Sequence, residues 1–232
     1  MDVSDRCVLF ATPSFDKSVS VDFHTSMLST VGEFYRHRIA WDCRVIAGNQ
    51  FIDDARNELV HHFLTSDAGF TDLIFMDADQ GWEPKAIVRL LSHEKGVVAA
   101  LPPKKCDPPT FHSNALTGVI EGGLFQALEA GTGCMRIRRE VFARMDAAFP
   151  ELVEQTKGEF PWTHTPYFQG GNTQYGVVRE DIFFCRQLIA MGEYVWIDPD
   201  VSFTHRGSKA WKGNFYDHCV STGMLKKVTP VE

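Results

Sequence analysis

The chain has 232 residues, long for one domain and short for two, and 44% of them are hydrophobic, 23% charged and 12% aromatic. Its formal net charge of -7 argues against a protein that lives by gripping nucleic-acid phosphates, which calls for the opposite sign. No apolar run approaches the roughly 18 residues needed to cross a bilayer. The polar, acidic stretch Met1 to Arg6 is no signal peptide, so a cytoplasmic protein is expected.

Short apolar runs alternate with helical patterns through the first half. Cys7 to Ala11 reads as a buried strand stopped by Thr12-Pro13-Ser14. Ser18 to His37 carries Val21, Met27, Leu28, Val31, Phe34 and Tyr35 at helical spacing. A second strand fits Ile39 to Ile46, and Phe51 to Leu64 is an amphipathic helix. Leu73-Ile74-Phe75-Met76 is the third strand. Pro84 to Leu91 is a helix with Pro in its first turn. Val97 to Leu101 is the fourth strand, closed by Pro102-Pro103. Strands alternating with helices imply parallel pairing with crossovers, and ligands in such sheets bind off the carboxyl ends of the strands. Those ends carry Thr12-Pro13, Asp77-Ala78-Asp79 and Pro103-Lys104-Lys105.

The second half is less patterned. Phe111 to Gly131 reads as loop and extended chain, Cys134 to Ile137 as a short strand and Arg139 to Ala148 as a helix. Gly158 to Asn172 is a polar loop whose aromatics Phe160, Trp162, Tyr167 and Phe168 serve either core or ligand stacking. Asp181 to Met191 reads as a helix, Tyr194 to Ile197 as a strand, and Trp211 to Leu225 as a last helix. One domain over 1–232 is expected, with a nucleotide-side half, 1–106, and an acceptor-side half, 107–232. The six cysteines form no C-x-x-C pair, so reduced, buried thiols are expected rather than a zinc site.

Asp77 and Asp79 emerge together at the end of a buried strand. Two carboxylates there either hold Mg²⁺ or Mn²⁺, and through it a diphosphate, or cap the helix that follows. Glu180-Asp181 opens a helix, where a carboxylate is at home in the first turn and could also act as a general base. His205 ends an extended segment and is either structural or a metal ligand. Gly131-Thr132-Gly133 allows a close substrate or a tight turn.

The run Asp72-Leu73-Ile74-Phe75-Met76-Asp77-Ala78-Asp79-Gln80-Gly81-Trp82 resembles the D-x-D strand of GT-A-fold glycosyltransferases. Ala55-Arg56-Asn57-Glu58-Leu59-Val60 is similar to the preceding helix in viral, phage and bacterial members. Gly131-Thr132-Gly133-Cys134 with Arg138-Arg139-Glu140-Val141-Phe142 resembles the acceptor loop and its following helix. Arg179-Glu180-Asp181 resembles the x-E-D motif, and Asp198-Pro199-Asp200 through His205 the segment with the C-terminal metal histidine. The resemblance implies a GT-A-like α/β fold with a mostly parallel sheet and a smaller acceptor-side lobe.

The same resemblance implies roles. Asp79 and His205 would ligate Mn²⁺ or Mg²⁺, with Asp77 on the metal or the ribose. Asp181 would be the base of an inverting transfer, with Glu180 second to it. Arg56, Asn57 and Ala78 would border the nucleotide-sugar, Thr12 and Pro13 would frame the nucleoside, and Lys105 and Lys209 would reach the diphosphate. The donor implied is a UDP-sugar, and the acceptor a glycan or a hydroxymethylated DNA base. The acidic net charge leans to a glycan, while the basic stretches at Lys104-Lys105, Arg136 to Arg144 and Arg206 to Lys212 keep DNA open. Two other readings compete. One is a metal-dependent phosphohydrolase or nucleotidyltransferase, although the first strand ends without the nucleophilic Asp such phosphatases use. The other is a non-catalytic sugar-nucleotide-binding module.

Overall fold

The computed structural model describes residues 2–112, 115–157, 164–224 and 229–230. In chain order the elements are β1 (Cys7–Ser14), α1 (Val21–His37), β2 (Ala40–Ala47), α2 (Ile52–Thr65), β3 (Asp72–Met76), β4 (Gln80–Trp82), α3 (Ala86–Ser92) and β5 (Val97–Ala99). Then follow β6 (Leu116–Glu121), β7 (Leu124–Ala127), β8 (Cys134–Arg138), α4 (Arg139–Ala148), α5 (Pro150–Glu154), β9 (Gly171–Thr173) and β10 (Gly176–Val178). The last are α6 (Glu180–Ala190), β11 (Val195–Ile197), β12 (Ser202–Arg206), β13 (Ala210–Asn214), α7 (Phe215–Ser221) and β14 (Thr229–Pro230).

Nine strands form one sheet in the order β14-β6-β7-β11-β5-β8-β3-β1-β2. The pairings run seven of them one way and only β7 and β8 against, so the sheet is mixed but mostly parallel in direction. Alternate residues of each strand feed opposite faces. Leu9, Ala11, Leu73 and Phe75 pack beneath α2, α4 and α6 through Phe63, Phe142 and Phe184. Val8, Phe10, Ile74 and Met76 pack beneath α1 and α3 through Phe23, Phe34, Ile87 and Leu90. The result is a helix–sheet–helix sandwich, the α/β class expected. Among the described residues no helix is long and apolar enough to cross a membrane.

Four expectations need correction. The first strand does not stop at Thr12 but runs on to Ser14 through Pro13. β3 pairs with β1 only as far as Ala11, so the side of Pro13 that lacks an N–H has no ladder to serve. The stretch Phe111 to Gly131, expected as loop and extended chain, is more ordered than that and contains the paired hairpin β6–β7. The tail expected as a helix from Trp211 is strand β13 as far as Asn214, and the helix begins at Phe215. β13 completes a separate three-stranded sheet, β13-β12-β4, that carries His205. The thiols are also not uniformly buried: Cys134, Cys185 and Cys219 are, whereas Cys43 is exposed, and all six are free.

Candidate active site

The turn after β3 is fixed from three sides. Asp77 N–H donates to Gly133 O ahead of β8 (3.0 Å), Ser20 N–H before α1 donates to Ala78 O (2.8 Å), and Arg206 N–H at the end of β12 donates to Asp79 O (2.8 Å). Ala78 therefore meets the protein through its carbonyl. With their backbone held this way, the two carboxylates diverge. Asp79 faces His205 and Lys105; Asp77 faces Arg56.

His205 Nδ1 lies 2.8 Å from the carbonyl oxygen of Pro103. A carbonyl can only accept, so Nδ1 carries a proton and donates, which turns Nε2 to Asp79, as a second N–H when the ring is charged and as a lone pair when it is neutral. Nε2 lies 3.4 Å from Asp79 Oδ1. Two lone-pair atoms held face to face require a cation between them, either a proton or a metal ion. Backbone carbonyls that orient a ligating imidazole in this way are the usual outer shell of a metal site. Burial alone would push the Asp79 carboxyl up, but its bonds to His205 and Lys105 and their charges outweigh burial and hold it below the ordinary range. Carboxylate oxygens with one oriented imidazole nitrogen are a donor set that a divalent cation could accept. Among the described residues no three His, Cys, Asp or Glu side chains come together as a ready-made metal cage. The three residues expected as metal ligands thus divide, with Asp79 and His205 together and Asp77 apart.

Arg56 on α2 is 4% exposed. Its Nη2 lies 3.5 Å from Asp77 Oδ1 and its Nε 3.4 Å from Glu180 Oε1, and the guanidinium sits over the Phe75 ring. One buried cation thus ties the carboxylate after β3 to the first residue of α6. Its Nε and Nη1 make no hydrogen bond, and neither do Gln80 Oε1 or Thr132 Oγ1 nearby in the fold. These are four of ten such buried atoms among the described residues, and they leave polar groups beside the turn that a ligand could satisfy.

Gly131-Thr132-Gly133 runs between the two carboxylate groups. A methyl group at Gly131 would lie 3.7 Å from Asp181 Oδ2, an ordinary contact. At Gly133 it would lie 2.5 Å from Gln80 Nε2 and 3.0 Å from Asp77 Oδ2. Gly133→Ala is therefore expected to displace Asp77 and Gln80 and to cost about 1–3 kcal/mol from overpacking. Gly131→Ala should be tolerated. Thermal melts of the two variants check the contrast, and equal behaviour would show that the close approach at Gly133 is unimportant.

Asp181 lies in the first turn of α6, where its Oδ1 accepts from Ile182 N–H (2.8 Å). Burial, then the charge of Glu180, raises its carboxyl above the ordinary value of 3.8, against smaller opposing effects of the Ile182 amide, Arg56 and Arg179. It lines a cleft of about 580 Å³ with His112, Gly131, Val178, Arg179 and Arg186. A desolvated carboxylate at the floor of such a cleft can take a proton from a hydroxyl. Glu180, which is paired with Arg56, is less free to do so.

The other expected site residues are placed as follows. Thr12 and Pro13 are buried at the end of β1. Asn57 gives both ends of its amide to Phe168, donating from Nδ2 to the carbonyl (2.8 Å) and accepting at Oδ1 from the N–H (3.0 Å). It anchors a loop instead of facing the turn. Lys209 pairs with Asp107, whereas Lys105 is the lysine paired with Asp79. Tyr167 and Phe168 are core, and Phe168 stacks on Phe184. Phe160 and Trp162 lie outside the described residues.

The basic run Arg136 to Arg144 offers little to a phosphate backbone. Arg136 is fully buried, Arg139 donates to the carbonyls that end α2, and Arg138 and Arg144 are paired with Glu94 and Glu193. Gln80 lies beside Gly133 and Asp77, and His112 lines the cleft with Asp181. Gln80 follows the D-x-D turn directly and could have been suspected, whereas nothing local marks His112.

No family model matches the sequence, and no curated protein matches it. Solved structures match it in shape. The A197 protein of STIV is 14% identical with a TM-score of 0.47, and the match covers 87% of this chain and 86% of that one. A mutant Drosophila β-1,4-galactosyltransferase 7, in complex with manganese, UDP-Gal and xylobiose, is 15% identical with a TM-score of 0.47, covering 82% and 64%. A glycosyltransferase involved in glycosylation of the major capsid of PBCV-1 is 11% identical with a TM-score of 0.34, covering 69% and 71%. These likenesses are remote in sequence and geometry, so the chemistry is read from the site itself.

Proposed function

We propose that the protein is a metal-dependent glycosyltransferase that moves a sugar from a nucleoside-diphosphate sugar, a UDP-sugar by preference, to an acceptor hydroxyl. The observation that carries this reading is the facing pair Asp79 Oδ1 and His205 Nε2, with the histidine oriented by Pro103. In this reading Asp79 and His205 hold a divalent cation, and the imidazole nitrogen in the set suits Mn²⁺ better than Mg²⁺. When bound, the ion supplies Lewis-acid stabilisation of the charge that grows on the departing diphosphate.

The chain's own groups do the rest. Lys105, which sits on Asp79, can turn to the diphosphate once Asp79 takes up a cation. Asp77, set apart from the metal pair, holds the donor at the ribose, and Arg56 holds Asp77. Asp181 takes the proton of the attacking hydroxyl at the floor of its cleft, which gives inversion at the anomeric carbon. A glycan acceptor is favoured over DNA because the arginines from 136 to 144 are committed within the chain.

A thermal-shift panel of nucleotide-sugars with and without Mn²⁺ tests the reading. A ligand at about 100 times its Kd stabilises the folded state by about 2.7 kcal/mol. The wild-type protein should melt higher only with both Mn²⁺ and its donor, and Asp79→Ala and His205→Ala should lose that shift while folding normally. Undiminished metal-stimulated donor hydrolysis in either variant would remove these residues from the metal site.

A further inference from the structure

The outer edge of the nine-stranded sheet is β2, eight residues long and exposed along nearly its whole length. Natural edge strands are usually blunted by proline, lysine, a bulge or shortness. Ala40 to Ala47 has no proline, glycine or lysine, and its register with β1 is unbroken. Among the described residues no segment pairs with its free side.

The backbone directions on that side follow from the bonds to β1. Ala40 N–H donates to Arg6 O, and Gly48 N–H donates to Ser14 O. Even-numbered residues therefore address β1, and Trp41, Cys43 and Val45 turn their N–H and C=O groups outward. The amide of Cys43 is met only by the neighbouring Asp42 side chain, at 2.7 Å.

We infer that this edge pairs with a second copy of the chain, antiparallel, about a twofold axis through Cys43. In that register Cys43 exchanges both backbone bonds with the partner's Cys43, and Trp41 stands opposite the partner's Val45. All of these are outward-facing residues, as hydrogen-bonded antiparallel pairs require. Trp41 and Val45 are 38% and 46% exposed in the single chain, so each gains cover on pairing. On the other face Asp42 falls opposite the partner's Arg44, twice by symmetry, at the closer non-hydrogen-bonded spacing. Shifting the axis by one residue sets Asp42 against the partner's Asp42, or Arg44 against the partner's Arg44. The sequence is thus self-complementary in one register and self-repelling in its neighbours. An interface that uses the same patch on both copies is the commonest way to close a homodimer. The two sheets become one continuous sheet. The inference is independent of the proposed activity.

Sedimentation equilibrium on the intact chain tests it. A monomer of 26.2 kDa in equilibrium with a species of twice that mass is expected, with a dissociation constant in the micromolar range because the strip is small. Arg44→Asp sets the new carboxylate against the partner's Asp42 and should weaken association by about tenfold or more. The swap Asp42→Arg with Arg44→Asp should restore association to within about threefold of wild type, which a merely misfolded chain could not do. A short bismaleimide should cross-link the wild-type protein, and Cys43→Ser should abolish the cross-link. Monomer alone at all concentrations up to roughly 100 µM, or a dimer indifferent to Arg44→Asp, or a swap that fails to restore it, would overturn the inference.

Discussion

Arg136→Met should destabilise the fold by about 3–5 kcal/mol, the range found when one partner of a buried ion pair is removed. In a domain of this size that lowers the melting temperature by roughly 6–20 °C. Arg136 stands in β8, between β5 and β3, and is 0% exposed. Its guanidinium donates to the carbonyls of Leu90, His93, Lys95 and Gly96, where α3 ends and the chain turns toward β5. Its Nε also lies 3.7 Å from Asp72 Oδ1, itself fully buried. Burial lowers its pKa to about 10, so it remains charged at neutral pH. Methionine would fill much of the space but leave those carbonyls without their donor and Asp72 without one of the two arginine charges beside it. Lysine, a point charge, cannot fan out over four carbonyls and should recover less than half of the loss. Adding Asp72→Asn to Arg136→Met should cost less than the two changes summed, because the orphaned charge is then gone. Urea titrations of the wild type, the three single variants and the double variant decide the matter. A loss under about 1 kcal/mol for Arg136→Met would mean that the carbonyls find water and the guanidinium is dispensable.

How far such features can be read beforehand depends on whether their partners are local. β3 is legible because four successive residues, Leu73 to Met76, are apolar on both faces, and that run is unlike any amphipathic helix. Placing Asp77 and Asp79 off its carboxyl end followed from that alone. The hairpin β6–β7 is also written in the chain, since Gly122 and Gly123 both adopt positive φ, as the Gly-Gly turn of a hairpin does. Trp211, Phe215 and Cys219 misled by arithmetic. They are spaced four apart and all buried, yet the first belongs to a strand and the others to a helix. Asn214, whose side chain accepts from Asp217 N–H as the helix cap, marks the boundary that periodicity hid. The antiparallel insertion of β8 between β3 and β5 could not be read, because pairing joins residues about sixty positions apart. The arginines of β8 and α4 failed for the same reason. Their charge is visible in sequence, but their acceptors, on α2, on α3 and near Glu193, are not. Asn57 lies one residue from Arg56 in the same resembling motif, and only the fold separates the residue that touches Asp77 from the one that ties down a loop.

Asp181→Asn should lower transfer by about 10²–10⁴-fold, the usual contribution of a general base, while leaving Mn²⁺-dependent donor binding within error of wild type. Its stability should change in the opposite sense. Burial and the charge of Glu180 raise the folded-state carboxyl above its ordinary value of 3.8. The folded chain thus keeps a proton that the unfolded chain has already released. Stability from this group is present below the unfolded value, falls as pH rises through the window up to the raised value, and stays lost above it. Asparagine is neutral throughout and can still accept from Ile182 N–H, so the variant should melt at or above the wild type at pH 7 and lose that advantage below the window. The same shift sets the acid limb of kcat/KM above the range of an ordinary aspartate. Glu180→Gln removes the like charge and should move that limb to lower pH, and it also frees the Arg56 Nε that now faces Glu180. Transfer by Asp181→Asn within tenfold of wild type would place the base elsewhere or make the reaction a retaining one. A variant that is inactive but melts lower at pH 7 would instead mark Asp181 as a structural cap. Raised stability with lost transfer is the pair of results that a desolvated base must give, because the burial that makes the carboxylate a stronger base is the burial that the fold would be better without.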